Sequence, residues 1–191
     1  MNILYIHGFG SCFNQNSEKV RALSEIGEVF GIEIDYTKLF TDIEVAIIGL
    51  IIKKDIDLIV GTSMGGFCAS VTGTKTGVPF VAINPVLEPV KTLSKYIGDG
   101  IDFSGNTYKL ERKTLSSYPS FSLNGCGLIL LDRGDELIDS NQTAAILDQY
   151  YKIRIFDHGH HRFAHIQESL DDIRIFNITS LVYGFGAEND L

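Results

Sequence analysis

The sequence is short of proline, cysteine, cations and long apolar runs, and each shortage excludes something. Four prolines in 191 residues leave the punctuation of the chain to 19 glycines. Three cysteines, an odd number, argue against a disulfide framework and fit a reducing compartment. Lys and Arg number 16 against 24 Asp and Glu, a net charge of −8. A nucleic-acid partner is disfavoured, because such binding rests on a basic face that neutralises phosphates. An anionic membrane surface is disfavoured for the same reason. No apolar run reaches eighteen residues, so no membrane-spanning helix is expected. The start, Met1-Asn2-Ile3-Leu4-Tyr5-Ile6, has none of the basic character of a signal peptide, and a cytoplasmic location is expected. Neither repeats nor low-complexity tracts are visible. What remains is ordinary for a soluble globular protein, 45% hydrophobic and 21% charged. The length fits a single domain, 1–191, and leaves no room for an inserted cap.

Short apolar runs alternate with helical stretches. Strands are expected at 3–6, 29–36, 57–60, 80–83, 128–131 and 153–156. Helices are expected at 16–26, 41–54, 64–75, 90–97, 142–150 and 166–183, with a frayed tail after Gly184. Thr41 and Glu44 have the spacing of a capping box. The segment 84–127 is less regular, holds Pro85, Pro89 and Pro119, and is expected to cover the site. This alternation implies crossover connections, hence a three-layer α/β/α sandwich around about six mainly parallel strands. Such sheets place their sites outside the carboxyl ends of the strands. The loops to search therefore follow Ile6, Val60, Ile83, Leu131 and Phe156.

After Val60 comes Gly61-Thr62-Ser63-Met64-Gly65-Gly66, a G-x-S-x-G pattern. Alone it is a weak signal. Between an apolar strand and a small-residue helix it reads as a nucleophile elbow, a sharp turn that lifts the serine hydroxyl out of the sheet edge. After Ile6 comes His7-Gly8-Phe9-Gly10, a loop suited to supply one oxyanion-binding N–H, from Phe9, beside that of Met64. His7 lies in that loop and is expected to brace it. After Leu131 come three aspartates. Asp139 is placed as a helix cap, and Asp132 is expected to point away or to pair with Arg133. Asp135 is the leading candidate for the acid that orients an imidazole, with Asp132 its rival. After Phe156 come His158, His160, His161 and His165. Clustered histidines can bind zinc, but no H-E-x-x-H spacing or cysteine pair accompanies them, and no metal is expected. One histidine is read as the general base, His161 first and His160 second, which completes the chain order Ser, Asp, His. His158 and His165 are placed at the surface or at a helix start.

With these motifs in view, the chain resembles the small α/β-hydrolases of the bacterial YqiA/YcfP-like esterase family. The resemblance rests on residues 4–9, on the elbow, and on Ile83-Asn84-Pro85 with Pro89. It continues through Gly134-Asp135-Glu136-Leu137-Ile138-Asp139 and Gly159-His160-His161-Arg162-Phe163. His158 departs from the glycine usual there. The resemblance implies a minimal α/β-hydrolase fold and an esterase acting on short acyl esters. It also implies a triad of Ser63, Asp135 and His161, with no cofactor and a small-molecule acyl ester as the partner. An acyl thioesterase with the same triad, and a non-enzymatic binding module on the same fold, are the alternatives. Tyr96, Phe103, Tyr108, Tyr118 and Phe121 are candidates to line an acyl pocket.

Overall fold

A computed structural model describes residues 1–103 and 105–183; the tail expected to fray from Gly184 lies outside the described residues. The chain begins with β1 (Asn2–Ile6), α1 (Glu18–Leu23), β2 (Glu28–Ile32), α2 (Phe40–Lys54), β3 (Leu58–Thr62), α3 (Met64–Thr76) and β4 (Phe80–Ile83). It continues with α4 (Pro89–Leu93), a 3₁₀ turn (Ser94–Tyr96), β5 (Gly98–Ile101), β6 (Thr107–Leu110) and α5 (Arg112–Leu115). It closes with β7 (Gly127–Asp132), α6 (Ser140–Leu147), β8 (Lys152–Phe156) and α7 (Leu170–Tyr183).

Six strands pair in the order β2-β1-β3-β4-β7-β8, every pair parallel. β1, β3, β4 and β7 are apolar on both faces, as a sheet covered on both sides requires. Their side chains alternate between two cores. Leu4, Ile6, Ile59, Phe80, Ala82, Ile129 and Leu131 meet Ile43, Ile47 and Ile51 of α2 and Phe67 of α3. Ile3, Tyr5, Leu58, Val60, Val81, Ile83, Leu128 and Leu130 meet Val20 and Leu23 of α1 and Ile173 and Phe176 of α7. Each Val, Leu, Ile and Phe among them contributes about 1.5–3 kcal/mol on burial, which makes the two apolar layers the main source of stability. The result is the three-layer α/β/α sandwich. The chain runs outward from β1 to β2 and then crosses back to β3. This reversal opens a crevice at the carboxyl ends of β1 and β3.

Several elements depart from the sequence reading. β2 stops at Ile32 because the next residues turn over the loop after β1: the Ile34 N–H donates to His7 Nε2 at 3.1 Å and the Tyr36 hydroxyl to the His7 carbonyl at 2.6 Å. α2 starts at Phe40 after Leu39, without a side-chain cap, so the Thr41–Glu44 capping box does not form. Burial sets that start. Phe40 packs on Phe67 and Tyr118, its N–H donates to Ser117 Oγ at 2.9 Å, and Glu44 pairs instead with Lys75. α7 begins at Leu170, not near 166; the residues before it are turns tied by the Ser169 N–H to the His165 carbonyl at 3.0 Å. Within 84–127 the chain forms an antiparallel hairpin, β5–β6, outside the main sheet. Among the described residues no helix is long and apolar enough to cross a membrane.

Candidate active site

The elbow forms because the chain must turn from β3 into α3 with no room for side chains. A Cβ on Gly61 would stand 2.0 Å from the Gly65 carbonyl oxygen, and one on Gly65 would stand 2.1 Å from the Ile6 carbonyl oxygen. Between them Ser63 takes φ 57° and ψ −118°, a conformation uncommon for a non-glycine residue. Its backbone is fixed on both sides: the N–H donates to the Ile83 carbonyl at 2.9 Å, and the carbonyl accepts from Phe67 and Val86. The hydroxyl is left at the N-terminal end of α3.

Ser63 Oγ lies 3.0 Å from His161 Nε2, and His161 Nδ1 lies 2.8 and 3.0 Å from the two carboxylate oxygens of Asp135. With Nδ1–H donating to the carboxylate, Nε2 is free to accept the serine proton. The Asp135 side chain is 1% exposed, and its Oδ1 also accepts the N–H groups of Leu137 and Ile138 at 2.8 and 2.9 Å. The His161 ring is 16% exposed, so it is reachable from outside. The His161 N–H donates to Glu136 Oε2 at 2.9 Å. That bond is the first cause holding the Glu136 carboxyl below the ordinary carboxylate range.

Asp132 corrects the sequence reading. It neither points outward nor pairs with Arg133, which instead meets Asp157 at 2.9 Å. Asp132 is 0% exposed. Its Oδ2 accepts the N–H groups of His160 and Ala164 at 3.1 and 2.7 Å, and its Oδ1 meets His165 Nδ1 at 2.6 Å. A Cβ on Gly159 would stand 2.0 Å from Asp132 Oδ2, so the backbone can close over the carboxylate only at glycine. Asn84, at the end of β4 with φ 42°, completes the brace. Its Oδ1 accepts the Asp132 N–H at 2.9 Å, and its Nδ2 donates to the His160 and His161 carbonyls, each at 3.2 Å. His165, expected at the surface or a helix start, is therefore half-buried, and its ring stacks on Phe156 at 5.0 Å. His158 and His160 are exposed. Among the described residues no group of three or more His, Cys, Asp or Glu side chains converges as metal ligands would. Asp139 caps α6 by accepting the Asn141 and Gln142 N–H groups.

The loop after β1 lies against the serine. His7 is buried and braces it: its Nδ1–H donates to the Gly8 carbonyl at 2.8 Å while Nε2 accepts from Ile34. Burial lowers the His7 pKa, against weaker opposing pulls from the Gly8 carbonyl and Glu33, which keeps the ring neutral as this pattern demands. A relay stands behind the loop, with the Tyr118 hydroxyl donating to the Tyr36 carbonyl at 2.8 Å and the Tyr36 hydroxyl donating to His7. Phe9 and Met64 both line the space around Ser63. Met64 opens α3, where the first N–H groups have no intrahelical partner.

These residues border an open cleft of about 820 Å³. Phe9, Val86, Leu93, Tyr96 and Tyr108 form its apolar flank, and Ile101 and Phe103 bring the β5–β6 hairpin to its mouth. Tyr118 and Phe121 do not reach it. Tyr118 is drawn into the core by its bonds to Tyr36 and Lys38, and Phe121 by packing on Phe80 and Tyr151. Asn84, Asp132 and His165 were not read as one unit in the sequence; Gly159 beside an acid-ended strand was the available signal. Cys68 is buried in α3, and burial pushes its thiol up to about 12.

The family model described as Uncharacterised protein family (UPF0227) matches residues 2–178. UPF0227 proteins of Yersinia pseudotuberculosis and Yersinia pestis are 31% identical over 181 residues, covering 91% of this chain and 97% of their own. Among solved structures, Est1E from Butyrivibrio proteoclasticus has a TM-score of 0.71 at 14% identity, covering 95% of this chain and 88% of its own. A monoacylglycerol lipase from Paleococcus ferrophilus has a TM-score of 0.69 at 12% identity, covering 93% and 94%. The structural likenesses show the α/β-hydrolase fold, and the sequence matches show that the chain belongs to the UPF0227 family.

Proposed function

We propose that the protein is a serine hydrolase that cleaves short-chain carboxylic acyl esters through an acyl-enzyme. The observation that carries this reading is the continuous chain from Ser63 Oγ through both nitrogens of His161 to Asp135, with contacts of 3.0 and 2.8 Å. The names of two structural neighbours, the esterase domain of a Rhodothermus marinus protein and the monoacylglycerol lipase, agree with it.

Ser63 Oγ attacks the ester carbonyl as His161 Nε2 takes its proton. Asp135 holds the imidazole in the required tautomer and stabilises the imidazolium. The carbonyl oxygen becomes an oxyanion between the N–H groups of Phe9 and Met64, where one such donor is worth about 3 kcal/mol of barrier. The C–O bond breaks, and the alcohol leaves with the proton from Nε2. Water then attacks the acyl-enzyme with His161 again as base, which releases the acid and restores Ser63. The apolar flank of the cleft receives the acyl chain.

The test is a screen of acyl esters and thioesters of graded length, with Ser63→Ala as control. Butyrate esters should be cleaved faster than palmitate esters, and Ser63→Ala should cleave neither. A preference for palmitate rejects the short-chain reading, and activity retained in Ser63→Ala rejects the mechanism.

A further inference from the structure

The cleft has a second flank that the mechanism above does not use. Lys19, on α1, and Arg162, beside His161, both line the cleft that holds Ser63. They lie on the α1/α7 side of the sheet: Val20 and Phe163, their chain neighbours, belong to that core, whereas Phe9, Tyr96 and Tyr108 pack on the other. Ser63 thus stands between an apolar flank and one that presents Lys19 and Arg162, within a lining that also holds Glu18, Asp102, Glu136 and, over the Tyr96 ring, Lys95.

Among the described residues neither cation is engaged in an ion pair. None of the described acids nearby forms an ion pair with either cation. Asp132 is buried and spent on His160, Ala164 and His165. Glu136 accepts from the His161 backbone. Asp102 accepts from Asn106 in its own turn. Glu18 lines the same cleft and pulls on the Lys19 charge, but no ion pair joins the two. Lys19 is half-buried, and its pKa is lowered, first by burial and then by Arg162, despite the opposing pulls of Glu18 and Asp132. Arg162 is held at the mouth, its guanidinium 5.6 Å from the Phe103 ring, and Phe103 is tied to the oxyanion loop by its N–H to the Gly10 carbonyl at 2.9 Å.

We propose that Lys19 and Arg162 bind an anionic group, a carboxylate or a phosphate, on the alcohol side of the substrate, so that the preferred esters are those of negatively charged alcohols. The guanidinium offers two parallel N–H donors to such a group, and the ammonium adds a point charge. This inference rests on the serine-hydrolase reading for its substrate and on the cleft geometry for its ligand.

Three butyrate esters with matched alcohols test it: those of 4-hydroxybutanamide, 4-hydroxybutanoate and 3-hydroxypropyl phosphate. At least one anionic ester should exceed the neutral one in kcat/KM by about tenfold or more, the scale of a hydrogen bond to a charged group, and the two anionic arms tell carboxylate from phosphate. In Lys19→Met and in Arg162→Gln that ratio should collapse toward one. A wild-type ratio near one, or a ratio that survives both substitutions, overturns the proposal while leaving ester hydrolysis intact. If no ester is cleaved, the hydrolase reading fails, and binding still decides the anion site. In Ser63→Ala protein, propyl phosphate or butanoate should shift the Arg162 Nε–Hε resonance saturably at millimolar concentration, and Lys19→Met should remove the shift. No shift with either anion overturns the site.

Discussion

Asp135 and Asp132 are three residues apart and chemically identical, yet their surroundings divide the work. Asp135 turns its carboxylate to the imidazole of His161, and Asp132 turns its own to the backbone of the loop that carries that imidazole. Asp135→Asn keeps the shape but favours the wrong imidazole tautomer. It should lower kcat by about 10⁴-fold with an unchanged circular dichroism spectrum. His7 makes a second residue-level prediction. Its folded pKa lies below that of the unfolded chain, so its contribution to stability is present above the unfolded value, near pH 6.5, and is lost as pH falls through the folded one. The urea midpoint should therefore drop below about pH 6.5, and the drop should be smaller in His7→Gln. An equal drop in both proteins contradicts this role. Residue order alone could not say that both carboxylates are buried, one at the end of β7 and one on the loop after it, or which partner each takes. That choice depends on the closure of Gly159 over Asp132, a contact between the end of β7 and the loop after β8 that only the folded chain brings together.

At the scale of elements, the strands and the loops after them were legible because buried parallel strands write themselves as apolar runs ending in glycine or polar residues. The hairpin β5–β6 was not. It carries Gly98, Asp99 and Gly100 and alternates little, since its exposure spares it any apolar pattern. Tyr118 and Phe121 were misplaced for a related reason: an aromatic residue in an irregular segment reads the same whether it faces a cleft or a core. The brace of Asn84, Asp132 and His165 joins β4, β7 and the loop after β8, and it is the device that presents His161 to the serine. Asp132→Ala would strand the His160 and Ala164 N–H groups and the His165 ring. It should cost about 3 kcal/mol or more in chemical denaturation. Asp132→Asn should retain more of that stability while slowing turnover. A stability loss within about 0.5 kcal/mol of zero, the range of an ordinary surface substitution, would remove the brace from the account.

At the scale of the whole molecule, one reversal of strand order brings the ends of β1 and β3 together. The other strands then deliver an acid after β7 and a base after β8 to the same edge. The apolar layers on the two faces extend to that edge as two unlike flanks, aromatic on the side of α2 and α3 and bearing Lys19 and Arg162 on the side of α1 and α7. In a chain short of cations, Lys19 and Arg162 both line the cleft that holds Ser63. All of this depends on Ser63 being a nucleophile. A fluorophosphonate probe followed by peptide mass spectrometry tests that most directly. The wild-type protein should carry one adduct, on Ser63, with slower labelling in His161→Ala and none in Ser63→Ala. A native, folded protein that stays unlabelled, or one labelled at another residue when Ser63 is replaced, would contradict it.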